Sequence, residues 1–192
     1  MGTDFERQAA DRLRELASLA TSVAESLAPD IARAATMVRE TLERGGTLFF
    51  CGNGGSAADA QHIATEYVVR YMRERRALPA IALTTDTSLL TAAANDIGFE
   101  RVFERQVEAL VKPGDLLVIH STSGNSPNVI RAAQAARAKG AQVFALSAND
   151  GGRLRALAHH TIVVPTSRTD RAQEIHLCVQ HAICELVEAS AA

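Results

Sequence analysis

The sequence predicts an α/β fold: a parallel β-sheet with helices on both faces and a helical extension at the N-terminus. Three observations carry that prediction. Five short apolar runs, at 47–51, 80–83, 116–119, 142–146 and 161–164, alternate with segments of helical character, and strand–helix alternation implies parallel strands joined by crossovers. Two of the runs pass into helices through glycine- and serine-rich turns, CGNGGSAADAQH (51–62) and HSTSGNSP (120–127). The first 46 residues contain no strand signal.

Taken in order, that N-terminal stretch comes first. Its apolar residues Ala9, Leu13, Leu16, Ala20, Val23 and Leu27 step by four and three, a narrow helical seam. Pro29 is expected to interrupt it, with a second helix over 30–44 ended by Gly45–Gly46. Residues 1–46 therefore form a helical extension and 47–192 a single compact domain. The seam serves either oligomerisation or packing on its own domain, and spacing does not choose.

Within 47–192, Ser56 reads as an N-cap with Asp59 three residues on. A helix over 88–94 precedes Asn95–Asp96. Ser126–Pro127 reads as cap and first helical residue. Gly151–Gly152 opens a short helix, and Asp170 caps the last one, which runs to about residue 188. The basic cluster Arg70, Arg73, Arg75 and Arg76, with Glu74 among them, reads as a solvated helix end.

Composition narrows the function. The 192 residues are 47% hydrophobic with a formal net charge of −2, enough for a sizeable core and no footprint for nucleic acid. No signal peptide or transmembrane run is evident. Cys51, Cys178 and Cys184 show no zinc-type spacing and read as reduced residues. A cytoplasmic setting follows as an expectation.

The two small-residue turns say most about chemistry. Small side chains let the backbone approach a ligand, and free N–H groups at a helix start favour an anion. The second turn adds four hydroxyls, Ser121, Thr122, Ser123 and Ser126, suited to the many acceptor oxygens of a phosphate monoester. Neither turn carries Lys or Arg, so binding falls to neutral donors and helix dipoles. Gly52, Gly54 and Ala57 formally match a dinucleotide pattern, but that match is weak and leaves the second turn unexplained. No G-K-[ST] follows the first turn, which excludes a nucleoside-triphosphate loop.

His62 and Glu66 stand four apart, on one face of the helix beside the first turn. Such a pair binds a metal or places a carboxylate base near a substrate carbon, and a plain surface pair has the same spacing. On the last helix, Gln173 and His181 are eight apart, about 80° around the axis. His176 and Gln180 lie near the same stripe, and periodicity does not choose among the four. Asn95–Asp96 either caps a helix or grips sugar hydroxyls.

CGNGGS with DAQH and Glu66, then AANDIGF, STSGNSPNVI, ANDGG, and RAQEIH with His181 follow in an order and spacing that resembles the sugar isomerase domain family, over essentially the whole chain. Within it the similarity is to the isomerases of heptose phosphates. The resemblance implies a flavodoxin-like five-stranded parallel sheet in a homotetramer with active sites at subunit interfaces. It implies that Asn53, Gly54, Gly55, Asn95 and Asp96 touch substrate and that Ser121, Thr122, Ser123 and Ser126 hold the phosphate. Glu66 and His181 match the catalytic pair, and His62, Glu66, Gln173 and His181 match a zinc site, one Zn2+ per subunit, with no organic cofactor. Gln173 thus counts with the substrate-binding residues too.

The implied reaction moves one proton between adjacent carbons through an enediol, with Glu66 as base and His181 as acid. The implied conversion is of sedoheptulose 7-phosphate to D-glycero-D-manno-heptose 7-phosphate. Other readings from the same resemblance are another ketose-phosphate isomerase, a binding protein for the replication initiator, and a sugar-phosphate sensor. Relatives that bind the initiator lack the Glu and His retained here, and no DNA-binding segment is present. His120, Thr65, Asp170 and Ala172 depart from the family's usual residues, and none of these removes a reacting group. His120 is expected to be a buried histidine.

Overall fold

A computed structural model describes residues 2–190. Residues 1 and 191–192, the outer ends of the two expected segments, lie outside the described residues. The elements run α1 (Gly2–Glu43), β1 (Leu48–Gly52), α2 (Gly55–Val68), β2 (Ala80–Ala82), α3 (Thr87–Ile97), a 3-10 turn (Phe99–Arg101), α4 (Val102–Leu110), β3 (Leu116–His120), α5 (Pro127–Ala138), β4 (Gln142–Ala148), α6 (Leu154–Leu157), β5 (His160–Val164) and α7 (Thr169–Ser190).

All five strands are parallel and ordered β2-β1-β3-β4-β5. This is the flavodoxin-like order, with its switch point between β1 and β3. Each of β1 and β3 is buried along its whole length, as expected of strands covered on both faces. Alternate strand residues supply two cores. Leu48, Phe50, Leu116, Val118, Phe144 and Leu146 pack with α1, α2 and α7. Phe49, Cys51, Leu117, Ile119, Val143 and Ala145 pack with α4, α5 and α6. The crossovers therefore place the carboxyl ends of β1 and β3 side by side, with Gly52 opposite His120. Both small-residue turns leave the sheet there.

The N-terminus departs from expectation. Pro29 does not end a helix; α1 is continuous through it. Proline removes the N–H that would bond the carbonyl four residues back. That residue, Glu25, is exposed, so water can serve its carbonyl. Packing holds the helix on both sides of the proline: Val23, Leu27, Ile31, Ala34 and Val38 join the first core, and the His160 ring donates to the Asp30 carbonyl at 2.8 Å. The seam divides. Val23 is buried and Leu16 and Leu27 are half-buried, whereas Ala9 is exposed and Leu13 is 68% exposed.

Three local expectations are also corrected. Ser56 lies inside α2 and is buried; the cap position is Gly54, whose φ of 56° suits glycine, without a side-chain cap. Asp170 sits in the first turn of α7, not before it. Its carboxylate is held by Arg168 at 2.5 Å, which, with the backbone of Arg171 and its charge, lowers its pKa to about 2. Asn95 and Asp96 belong to α3, which Asp86 caps by accepting from the Leu89 N–H at 2.9 Å. Ser126 does stand at the start of α5 with Pro127 in its first turn.

Candidate active site

The first turn and the second meet at the switch point and enclose a cavity of about 280 Å³. Asn53, Gly54, Gly55, Ser56, Ser121, Thr122, Ser123 and Ser126 line it, with Thr169 and Gln173 entering from α7. The starts of α2 and α5 both face this space, so their partial positive charge converges on it. Ser121 and Ser123 accept from the loop N–H groups of Gly124 and Asn125, each at 3.2 Å. That arrangement leaves their own hydroxyl hydrogens free to donate outward.

Backbone contact holds the hydroxyl loop in shape. The Leu154 N–H donates to the Gly124 carbonyl at 2.9 Å and the Ala148 N–H to the Thr122 carbonyl at 3.0 Å. Asn125 accepts from the Arg153 N–H at 3.0 Å. A Cβ on Gly124 would stand 2.0 Å from the Gly151 carbonyl oxygen. The ANDGG stretch is thus a buttress for the loop. Asn53 and Asn128 exchange amide hydrogen bonds at 2.9 and 2.7 Å and tie the two turns together. Asn128 was not singled out in the sequence; its place one residue after Pro127 carried no signal.

The second cluster lies about two to three turns along α2. His62 and Glu66 face His181 of α7, and one ligand atom from each lies within 4.8 Å of the others. The Nε2 atoms of His62 and His181 are 2.9 Å apart, and His62 Nε2 is 3.4 Å from Glu66 Oε1. Burial and the neighbouring His62 lower the His181 pKa, and Glu66 opposes them. Burial raises the carboxyl of Asp59, one turn before His62, and His62 opposes it. Two imidazoles and a carboxylate are ordinary zinc donors. These three residues are the ones that would hold such an ion.

Gln173 lies against Gly55, where a Cβ would meet its Oε1 at 2.8 Å. Of the four helix-α7 residues that periodicity left open, structure separates them. Gln173 lines the cavity and His181 joins the second cluster, whereas His176 and Gln180 are buried. His176 donates from Nε2 to the Ser147 carbonyl at 3.0 Å, and burial lowers its pKa to about 4. His120 is fully buried as expected, with Nε2 2.8 Å from Gln180 Nε2 and Nδ1 without a hydrogen-bond partner. Burial, with His176 adding, lowers its pKa to about 3.

Asn95 and Asp96 do not line this cavity. They are exposed on α3, where Asn95 donates to Asp96 at 2.7 Å. Thr65 is exposed and bonds back to the Gln61 carbonyl. The basic cluster is corrected in one member. Arg75 is no solvated end: its side chain is 5% exposed and pairs with Glu188 of α7, 3% exposed, at 3.2 Å. Burial alone would raise the Glu188 carboxyl, but the N–H groups of Met72, Tyr71 and Arg73 and the Arg75 charge hold it below its ordinary value.

The SIS domain family model matches residues 13–148. The phosphoheptose isomerase of Chlorobaculum parvum is 52% identical over 187 residues, covering 96% of this chain and 90% of that protein. The structure of the phosphoheptose isomerase from Neisseria gonorrhoeae superposes with a TM-score of 0.90 at 41% identity, covering 96% of this chain and 99% of that one. One from Francisella tularensis superposes at 0.92 with 32% identity, covering 98% and 99%. No described helix is long and apolar enough to cross a membrane. With sequence and overall fold in agreement over nearly its full length, the chain belongs to the SIS domain family and, within it, to the phosphoheptose isomerases.

Proposed function

We propose that this isomerase converts sedoheptulose 7-phosphate to D-glycero-D-manno-heptose 7-phosphate through an enediol. The observation that carries the reading is the placement of His62, Glu66 and His181 within 4.8 Å of one another, on the two helices that also border the hydroxyl-lined cavity. A phosphate in the hydroxyl loop would be held by Ser121, Thr122, Ser123 and Ser126, with the α5 start opposing its charge. Asn53, Gly54, Gly55 and Gln173 would meet the sugar chain. Glu66 would take the proton from one carbon and return it to its neighbour. His181 would donate to the carbonyl oxygen as charge develops there and recover that proton from the hydroxyl.

Zinc fits the donors His62, Glu66 and His181, and the resemblance adds Gln173, which lines the cavity, as a fourth holder; when bound it supplies Lewis-acid polarisation of the substrate oxygens. The division into an extension over 1–46 and a domain over 47–192 is part of the proposal, with the extension serving assembly. Support comes from the exposed Phe5 and Leu13 of α1 and from α3, whose sequence is apolar yet none of whose residues is buried. A homotetramer would cover such faces. It would also give Asn95 and Asp96, exposed in the single chain, a site to complete on a neighbouring subunit. The buried free thiols Cys51 and Cys184 suit a cytoplasmic setting.

Incubation with sedoheptulose 7-phosphate, followed by NMR, tests the reaction. Solvent deuterium should enter the product at the carbon adjacent to the carbonyl. Glu66→Gln should lower kcat by about 10²- to 10⁴-fold with a smaller change in KM. Near wild-type kcat in that variant would remove Glu66 from the mechanism.

A further inference from the structure

The segment between α2 and β2 touches both members of the proposed acid–base pair. Glu188 lies seven residues after His181 on α7, two turns along the same stripe. Its carboxylate accepts three backbone N–H bonds: Tyr71 at 3.1 Å, Met72 at 2.7 Å and Arg73 at 2.8 Å. The same carboxylate pairs with Arg75. The Arg75 guanidinium continues to α2, donating to the carbonyls of Tyr67 at 2.9 Å and Glu66 at 2.5 Å. Those carbonyls belong to the last turn of α2, which has no helical donors of its own. Pinned between these anchors, the Tyr71 ring stacks on the His181 imidazole, centroids 5.4 Å apart and planes 20° apart.

Burying two charges is a poor way to gain stability, because desolvation offsets their attraction. Five hydrogen bonds and one ion pair instead fix where that segment lies. What the segment carries is an aromatic face stacked on His181. His62 meets the His181 ring edge-on at 5.1 Å, with the two Nε2 atoms 2.9 Å apart, so the imidazole contacts two rings. Proton transfer is sensitive to donor placement; a 1 Å error costs up to about 100-fold in rate.

We infer that Glu188 and Arg75 form a positioning clamp, that Tyr71 is the surface against which it sets His181, and that the same clamp fixes the end of the helix bearing Glu66. The inference rests on the reading of Glu66 and His181 as the reacting pair. Tyr71 contributes its ring, not its hydroxyl, and none of the three is a catalytic residue.

The test compares Tyr71→Ala, Tyr71→Phe and Glu188→Gln in the full-length protein. Two readouts are used: steady-state kinetics with sedoheptulose 7-phosphate, and the His181 Cε1–H resonance, which a stacked ring displaces through its ring current. Tyr71→Ala should lower kcat by about 10- to 100-fold with KM unchanged, and should move the resonance. Tyr71→Phe should keep wild-type kcat and leave the resonance in place. Glu188→Gln puts an amide N–H₂ among three N–H donors and should behave like Tyr71→Ala. Wild-type kcat with an unmoved resonance in Tyr71→Ala would overturn the clamp, as would equal losses in the Ala and Phe variants. If Glu188→Gln does not fold, the Tyr71 pair decides alone. If the wild-type protein does not isomerise the sugar, the activity reading fails; the resonance still tests the clamp.

Discussion

Gly55→Ala separates the fold from the chemistry with one methyl group. Gly55 opens α2 and does not need a left-handed backbone. Alanine there should not strain the chain, and replacing glycine by alanine in a helix favours folding by up to about 1 kcal/mol. The new Cβ, however, would stand 2.8 Å from Gln173 Oε1, 2.9 Å from its Nε2 and 3.0 Å from its Cδ, against 3.4 Å for an ordinary contact. The amide must therefore retreat by roughly 0.6 Å, or swing away by a rotamer change. Since the contact is with the end of a flexible side chain, the retreat costs the fold little. It removes Gln173 from the place where it would serve both substrate and zinc. The expected result is a melting temperature at or above wild type, measured by calorimetry, with kcat reduced about 10- to 100-fold. The double variant Gly55→Ala/Gln173→Ala should be no worse than Gln173→Ala alone, because both changes act through the same amide. Wild-type kcat and KM in a folded Gly55→Ala protein would show that the position of Gln173 is irrelevant, and the four-ligand site would lose one member.

Other perturbations probe other parts. Gly124→Ala should be costly in both stability and phosphate binding. At φ 61° a side chain is strained by roughly 1–2 kcal/mol, and its Cβ would strike the Gly151 carbonyl oxygen at 2.0 Å; a wild-type melting temperature with unaltered competition by inorganic phosphate would refute the buttress. Dialysis against a chelator should lower activity and added zinc restore it, with about one zinc per subunit by elemental analysis, and His62→Ala should lose metal while keeping its fold. Full activity in metal-free protein would leave a plain acid–base pair. Stability should fall in mild acid: His120 and His176 are held neutral, at about 3 and about 4 against an ordinary 6.5. Their contribution is therefore present above 6.5 and declines as pH falls below it, by roughly 2 kcal/mol each at about pH 5. Denaturant titrations of wild type and His120→Leu should show a shallower acid limb in the variant, and parallel limbs would argue against the assignment.

The inner strands β1, β3 and β4 were legible because buried parallel strands must be continuous apolar runs, whereas the edge strands β2 and β5 are only partly buried and were legible from their place in the strand–helix alternation. Residues such as Leu48, Phe50, Leu116 and Val118 have no polar alternation to disguise them. The two turns were legible because close backbone approach admits only small residues, as Gly124 shows against Gly151. The helix-bound pair His62 and Glu66 followed from local spacing. Elsewhere local signals misled. Pro29 reads as a stop because its cost is local, whereas the packing of Val23, Leu27, Ile31 and Ala34 that carries α1 through it is tertiary. Ser56 and Asp170 have cap chemistry, but the chain enters α2 through Gly54 and commits Asp170 to Arg168. Arg75 looked solvated because its partner Glu188 lies more than a hundred residues away, a distance over which no periodicity speaks.

By itself, then, the sequence determined the fold class, the place of both turns and the residue types available for chemistry, since each rests on backbone or helix geometry within a few residues. Only the tertiary structure decided which α7 side chains face His62, that Asn53 is tied to Asn128, and that Tyr71 lies on His181. Those are meetings between segments, set by how helices rotate to bury their own cores.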